Sequence, residues 1–185
     1  MGKKSKNWLA NPEKLTPTDK KDNQVVRVVV ETPKGSRNKF AFDAKKGVFL
    51  LKKVLPLGMV FPHDFGFVPS TKADDGDPVD VLILMDEPAF PGCLIPCRLI
   101  GVVEGEEIED GNKTRNDRLI AVSVHSHTHS DLKDISDLNK DFVKELKNFF
   151  VQYHQLDDTE YKCLGEKGKR AARSLLESQM IGKAA

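Results

Sequence analysis

Residues 74–84 read DDGDPVDVLIL and join a polar turn directly to an apolar run. Gly76 allows a tight turn because it lacks a side chain, and Pro78 fixes the backbone direction after it. The run at 79–84 is almost entirely apolar and predicts a strand that enters the core. Three carboxylates are therefore expected to converge at the mouth of this strand: Asp75, Asp77 and Asp80.

A polar surface turn, whose carboxylates cap backbone amides, is the alternative interpretation of such a segment. The flanks favour a functional site instead. Residues 61–69 read FPHDFGFVP and precede the turn, while the predicted strand follows it, so that four aspartates within 74–80 stand at the mouth of one strand. Mg²⁺ prefers oxygen ligands and commonly takes one or two carboxylates together with substrate phosphate. The sequence therefore predicts a Mg²⁺ site.

The bulk composition is that of one globular domain. The chain has 185 residues, of which 39% are hydrophobic. Its 29 basic and 28 acidic side chains leave a net charge of +1, so no global field attracts nucleic acid or an anionic membrane. Three cysteines without a CxxC pair indicate reduced thiols. Since neither a signal-peptide-like run nor a membrane span is present, a cytoplasmic location is expected.

The chain divides into a polar N-terminal arm at 1–23 and a single domain at 24–185. Short β-branched runs predict strands, the first three of which are expected to form a meander. The predicted strands are 25–30, 39–43, 48–54, 79–84, 93–103 and 119–124, with an acidic hairpin tip at 104–110.

Helical spacing of apolar residues begins after Ser136 and continues to Tyr153, and a second helix is predicted at 167–180. Because the strands come first and the helices last, the pattern indicates an α+β fold with helices packed against a small barrel or sandwich.

The segment 75–80, DGDPVD, fits the pattern Asp-x-Asp-Pro-x-Asp and resembles the soluble family I inorganic pyrophosphatases. The resemblance extends over about 26–153 and includes 91–92 and 97–102. It implies a five-stranded OB-like β-barrel with C-terminal helices and a homo-oligomer. It also implies Mg²⁺-dependent hydrolysis of pyrophosphate to two phosphates by a metal-activated water.

The resemblance also implies individual roles. Asp77 matches the general base that deprotonates the attacking water and also contacts the metals. Metal ligands would be Asp75 and Asp80, with Glu31 as an outer acidic residue; phosphate-binding or catalytic groups would be Lys39, Lys53, Arg118 and Tyr153. The chemistry is coherent in itself, since hydrolysis of a dense polyanion needs cations, a water of lowered pKa and a positioned base.

Several positions depart from the family pattern. Lys53 stands where arginine is typical, and Phe61 and Phe65 stand where tyrosines are typical. Lysine offers a point charge where arginine can bind phosphate bidentately, and phenylalanine lacks a hydroxyl donor. Arg118 replaces a usual lysine, and His154 follows Tyr153 where lysine is usual.

The second acidic pair of the family is expected in the hairpin before the strand at 119–124. Asp110 is the candidate for its first member. For the second, counting back from Arg118 reaches Asn116, whereas the nearby carboxylate is Asp117. If Asn116 occupies the position, a metal ligand has lost its charge and metal preference or substrate is altered.

Other interpretations stay open from the sequence. The departures also fit a hydrolase of another phosphoanhydride or a catalytically weak paralogue. A nucleic-acid-binding OB module is disfavoured by the acidic site and the near-zero charge. Alternating histidines would share one face of a strand and could bind Zn²⁺, although a surface role is the simpler interpretation: His125, His127 and His129.

Overall fold

The computed structural model describes residues 11–157 and 159–182. Its strands are β1 (Val25–Thr32), β2 (Asn38–Asp43), β3 (Val48–Val54), β4 (Asp64–Phe67), β5 (Asp80–Leu84), β6 (Leu94–Glu109), β7 (Asn112–Arg115), β8 (Arg118–Ser123) and β9 (Glu160–Gly168). The helices are α1 (Lys140–Gln155) and α2 (Lys169–Gln179), with 3₁₀ turns at Pro12–Lys14 and Ile135–Asp137. No helix within the described ranges is long and apolar enough to cross a membrane.

Strands of the larger sheet close into a ring in the order β1, β4, β5, β8 and β6, since β6 also pairs with β1. The closure depends on the length of β6, which spans 16 residues. Its first part pairs with β1 and β8, and its second part pairs with β7 and β9. This ring corresponds to the predicted five-stranded barrel, and the α+β class is confirmed.

The ring separates two apolar clusters, which is why β5 is apolar on both faces. Val81 and Ile83 pack in one cluster with β1 and α2. Leu82 and Leu84 pack in the other with α1. Successive side chains of a strand point to opposite faces, so an uninterrupted apolar run is what a strand between two clusters requires.

Strand β5 runs parallel to β8, with Val81 opposite Leu119. The other pairings of the ring are antiparallel. The β2–β3 hairpin forms a separate two-stranded sheet, so β1 to β3 do not form the predicted meander. The hairpin is tied to β1 by Thr32, whose Oγ1 accepts from the Phe40 amide at 3.0 Å.

The predicted strands and helices agree with the structure within a few residues, but three strands were not predicted. β4 and β7 are short, and β9 carries charged residues on its exposed side, so none of them shows an apolar run. The predicted acidic tip at 104–110 is largely strand, because Glu104–Glu109 continues β6, and the turn lies at Asp110 and Gly111.

The predicted N-terminal arm is described from residue 11 onward; residues 1–10 lie outside the described part. Residues 11–23 dock against the ring. The amide of Ser70 donates to the carbonyl oxygen of Glu13 at 2.8 Å, and Thr18 forms a bridge with Val26. The arm therefore runs alongside the segment that leads into β5.

Burial of the His63 ring makes the free energy of unfolding depend on pH. Its ring packs edge-on against Phe142 with 5.2 Å between centroids, and burial, reinforced by the charge of Lys34, lowers its pKa to about 4. A histidine with a lowered folded pKa destabilises the fold as pH falls from its unfolded value near 6.5 towards 4. We expect His63→Phe to remove up to about 3 kcal/mol of this loss.

The measurement is urea unfolding of both proteins at pH 7.5 and pH 4.5. The difference between the two proteins isolates His63 from the other titrating groups. Equal pH dependence in both proteins would contradict a buried neutral imidazole at this position.

Candidate active site

A cleft of about 540 Å³ opens between the ring, the β2–β3 hairpin and α1. One wall carries the aspartate turn, and the opposite wall carries lysines of the hairpin. Charged residues that line it include Glu31, Lys39, Lys53, Asp75, Asp77, Asp80, Glu107, Arg118 and Asp157. Opposite charges therefore meet in one concave site, the type of site that binds ligands.

The parallel pairing of β5 with β8 builds the floor of the cleft. Asp80 is the first residue of β5 and Arg118 the first of β8, and parallel strands begin at the same edge of a sheet. Nη2 of Arg118 consequently lies 3.9 Å from Oδ2 of Asp80. Arg118 is almost fully buried, so a cation is fixed directly beneath the aspartate turn.

Hydrogen bonds of the Thr71 hydroxyl support the aspartate turn. The Thr71 hydroxyl donates to the carbonyl oxygen of Val68 at 2.6 Å and accepts from the amide of Val79 at 2.9 Å. Within the turn, the amide of Asp77 donates to Oδ1 of Asp75 at 3.0 Å, and Gly76 adopts a φ of +94°. A positive φ favours glycine, so the sequence folds locally into this one turn.

Glu31 and Lys39 connect the ring to the hairpin wall. Oε1 of Glu31 accepts from the Phe42 amide at 2.7 Å, and its Oε2 lies 3.5 Å from Nζ of Lys39. The Lys39 ammonium lies 4.4 Å from the centroid of the Phe65 ring. Lys39 is thereby held by a carboxylate and by the aromatic face of Phe65. The family resemblance predicts a tyrosine at position 65, whose hydroxyl this chain lacks.

Lys53 lies opposite Lys39 in the hairpin and reaches α1. Its Nζ pairs with Asp157 and lies 3.7 Å from the centroid of the Tyr153 ring. Burial, reinforced by the charge of Asp157, raises the pKa of Tyr153. Tyr153 is therefore a neutral hydroxyl donor near neutral pH.

Burial raises the pKa of Asp80 to about 7, with the charge of Arg118 acting in the opposite direction. About a quarter of the side chain is still accessible, but protein atoms surround the carboxyl at the base of the cleft. A bound cation would restore the charged form, since an opposite charge within a few ångströms favours ionisation. The cleft thus has the electrostatics of a cation site beside an anion site.

The structure brings most of the predicted site residues together. Those that line the cleft are Asp75, Asp77, Asp80, Glu31, Lys39, Lys53, Arg118 and Tyr153. Asp110 lies at the tip of the β6–β7 hairpin in a neighbouring depression that Asp75 and Glu107 also line. Asp117 faces away from the cleft, where Oδ1 accepts from the Gly105 amide at 2.9 Å and lies 2.8 Å from Nη2 of Arg115.

Asn116 lines the cleft instead of Asp117. Its Nδ2 donates to Oε2 of Glu107 at 3.0 Å. Glu107 lies in the acidic stretch that the sequence predicted as a hairpin tip. If the predicted strand had been extended to the end of β6, the alternation of its side chains would have indicated that Glu107 faces the cleft. Glu13 and Asp157 also line the cleft, but neither stands in a motif, because both reach it from flanking segments.

The histidines at 125, 127 and 129 follow β8 in a loop, so they do not share one face of a strand. The loop is organised around Asp86, whose Oδ2 accepts from the His127 amide at 2.8 Å and whose Oδ1 accepts from the Thr128 amide at 3.0 Å. Among the described residues, no three histidine, cysteine or carboxylate side chains are already gathered at metal-binding distances.

The fold and cleft define a class of protein that binds a polyanion beside a cation site, as metal-assisted phosphoryl transfer requires. The family model for inorganic pyrophosphatase matches residues 28–181. The chain therefore belongs to the inorganic pyrophosphatase family, which confirms the resemblance seen in residues 75–80 and the predicted hydrolase class.

Relatives match over nearly the whole chain. The inorganic pyrophosphatase of Synechocystis sp. is 37% identical over 153 residues, covering 83% of this chain and 88% of the relative. The solved inorganic pyrophosphatase of Thermus thermophilus has a TM-score of 0.85 at 32% identity, covering 92% and 97%. That of Helicobacter pylori has a TM-score of 0.79 at 34% identity, covering 86% and 93%.

Thr71→Val tests the support of the aspartate turn. The variant leaves the buried amide of Val79 without its acceptor, which costs about 1–3 kcal/mol of unfolding free energy. We expect this loss together with a several-fold lower kcat/KM, because the aspartates are less firmly held. Thr71→Ser keeps the hydroxyl and should retain both quantities; urea unfolding and phosphate release measure them. Equal losses in both variants would assign the effect to packing.

Proposed function

We propose that this protein hydrolyses inorganic pyrophosphate to two orthophosphates with Mg²⁺ as cofactor. The observation that carries the proposal is the juxtaposition of the Asp75, Asp77 and Asp80 turn with Arg118 and the hairpin lysines in one cleft. Family membership, with relatives named inorganic pyrophosphatases, supports the substrate.

The donor chemistry of the cleft fits Mg²⁺. Among the described residues that line it, carboxylates are the available anionic ligands, and neither histidine nor cysteine is present. Mg²⁺ favours such oxygen donors and tolerates an incomplete protein shell, since waters and substrate phosphate complete its octahedron. We assign Asp75, Asp77 and Asp80 as the ligands, with Glu31 as an outer carboxylate.

When bound, Mg²⁺ supplies charge neutralisation and lowers the pKa of a coordinated water. Asp77 is the residue we assign to accept a proton from the attacking water, since its exposed carboxylate projects from the turn into the cleft. The water oxygen forms a bond to one phosphorus, and the bond from that phosphorus to the bridging oxygen breaks. The bridging oxygen leaves with the second phosphate.

The basic residues receive the leaving phosphate. Lys39 on the hairpin wall and Arg118 beneath the aspartate turn line the same cleft, and they offset the charge that develops on the departing group. Lys53 is paired with Asp157, so phosphate must compete with this carboxylate for the ammonium. Tyr153 beside it offers a neutral hydroxyl donor.

Further parts of the proposal concern the whole molecule. We treat residues 24–185 as one catalytic domain and propose a homo-oligomer on the basis of the family. Free thiols support a cytoplasmic location, as Cys93, Cys97 and Cys163 are unpaired. Light scattering coupled to size-exclusion chromatography measures the oligomeric state.

A substrate panel tests the proposed function directly. We expect phosphate release from pyrophosphate with Mg²⁺ and its loss after chelation, with restoration by added Mg²⁺. The controls are nucleoside triphosphates and polyphosphate at equal concentration. Selective hydrolysis of a nucleotide would favour the alternative phosphoanhydride substrate, to which Phe65, Lys53 and Asn116 in the cleft wall lend support.

Asp77→Asn tests the assigned base. The amide keeps the shape of the side chain but cannot accept the proton, so kcat should fall by roughly 10²- to 10⁴-fold. Mg²⁺ affinity measured by titration calorimetry should fall much less than kcat, because Asp75 and Asp80 remain as carboxylate ligands. Asp74→Asn changes the neighbouring exposed carboxylate and should keep activity within about twofold of the wild type. Unchanged turnover in Asp77→Asn would remove Asp77 from this role.

A further inference from the structure

Arg118 lies in the floor of the cleft with 3% of its surface exposed. Its guanidinium carbon is 4.5 Å from the centroid of the Phe150 ring and 4.7 Å from that of Tyr161. These contacts hold the group against two aromatic faces but do not direct its N–H donors. Asp80 at 3.9 Å is beyond hydrogen-bond distance, so the direction of the donors depends on other contacts.

Two acceptors set this direction. Nη1 of Arg118 donates to the carbonyl oxygen of Asn116 at 2.8 Å, and Nη2 donates to Nε2 of His154 at 2.9 Å. A guanidinium has five N–H donors and no acceptor. Nε2 of His154 must therefore present its lone pair to Arg118, and Nη1 and Nη2 each keep a second N–H on a side chain that lines the cleft.

Ring stacking and polar contacts fix the orientation of the His154 side chain. It is 5% exposed, and its ring stacks on Tyr161 with 4.8 Å between centroids and 15° between planes. Nδ1 lies 3.3 Å from Oε1 of Glu107 and 3.3 Å from Oγ1 of Thr159. The Thr159 hydroxyl donates to the His154 carbonyl oxygen, so both neighbours of Nδ1 are acceptors. The contacts therefore specify a neutral ring protonated at Nδ1.

These contacts form a closed circuit. Arg118 donates to His154, Nδ1 of His154 lies 3.3 Å from Oε1 of Glu107, Glu107 accepts from Asn116, and Asn116 accepts from Arg118 through its carbonyl oxygen. The hydroxyl of Tyr161 also donates to that carbonyl oxygen at 3.0 Å. The circuit links the start of β8 to α1 and β6, so turning the guanidinium breaks bonds at several points.

We propose that His154 is a positioning residue for pyrophosphate hydrolysis, which as a neutral imidazole protonated at Nδ1 holds the Arg118 guanidinium toward the leaving phosphate. His154 is not among the residues that line the cleft, so it acts through Arg118 and not on the substrate. The inference rests on the proposed function. It assigns a structural reason to the histidine found where the family resemblance predicts a lysine.

A double-mutant cycle tests this dependence. His154→Phe keeps an aromatic ring beside Tyr161 but removes both hydrogen bonds, and kcat/KM for pyrophosphate should fall about 10- to 100-fold. Arg118→Met removes the group that is positioned. If His154 acts only through Arg118, adding His154→Phe to Arg118→Met lowers kcat/KM no further. Additive losses would overturn the proposal.

His154→Gln is the matched variant, since its amide can accept from Arg118 and donate to Glu107. We expect kcat/KM within about fivefold of the wild type, because the variant can restore the same two bonds. Losses equal to those of His154→Phe, with thermal stability retained, would contradict a role based on these bonds.

The tautomer is measured without substrate or turnover. ¹⁵N spectra of the histidine-labelled wild-type protein at neutral pH should show His154 protonated at Nδ1 and not at Nε2. A proton on Nε2 would overturn the proposal even if every variant were poorly folded. A wild-type protein that does not hydrolyse pyrophosphate would refute the proposed function, whereas an active wild type with additive losses would refute only the positioning role.

Discussion

The parallel pairing of β5 with β8 is the constraint on which the site depends. Because both strands begin at the same edge of the ring, Asp80 and Arg118 lie side by side at their first residues. The segments that precede these strands, the aspartate turn and the Asn116 connection, then meet over the same spot. An antiparallel pairing would put the two starts at opposite edges and separate the carboxylates from the guanidinium.

Ring closure makes this arrangement rigid. β6 pairs along its length with four other strands, and two apolar clusters pack on either side of β5. Apart from Arg118 of β8, the groups that contact substrate phosphate in our proposal come from elements attached to this ring, namely the β2–β3 hairpin and α1. Thr32 and Glu31 bind the hairpin backbone to β1, so the lysines are set at a fixed distance from the aspartates.

The walls of the cleft are more apolar than the family pattern implies, yet they hold their cations firmly. Lys39 lies over the Phe65 ring, Lys53 over Tyr153, and Arg118 against Phe150. Aromatic faces attract cations, and this attraction becomes stronger as water is excluded. The same site thereby positions positive charge with fewer hydroxyl donors, and the neutral His154 adds an acceptor where a second cation would repel Arg118.

The sequence by itself determined what depends on near neighbours. Asp75, Asp77 and Asp80 stand within six residues, so a turn followed directly by a strand places all three along one cleft. The alternation of apolar runs and the helical spacing up to Tyr153 likewise predicted most strands and α1, because these periods reflect local burial. The motif at 75–80 is specific enough to indicate the inorganic pyrophosphatase family.

Only the tertiary structure decided the remainder of the site. Asn116 reaches the cleft and Asp117 pairs with Arg115, because the register of β6 with β7 and β8 determines which side chain points inward. Asp157 arrives from a segment distant in sequence, and β9 joins the sheet with charged residues on its exposed side. Such positions depend on long-range pairing, which no local pattern of residues encodes.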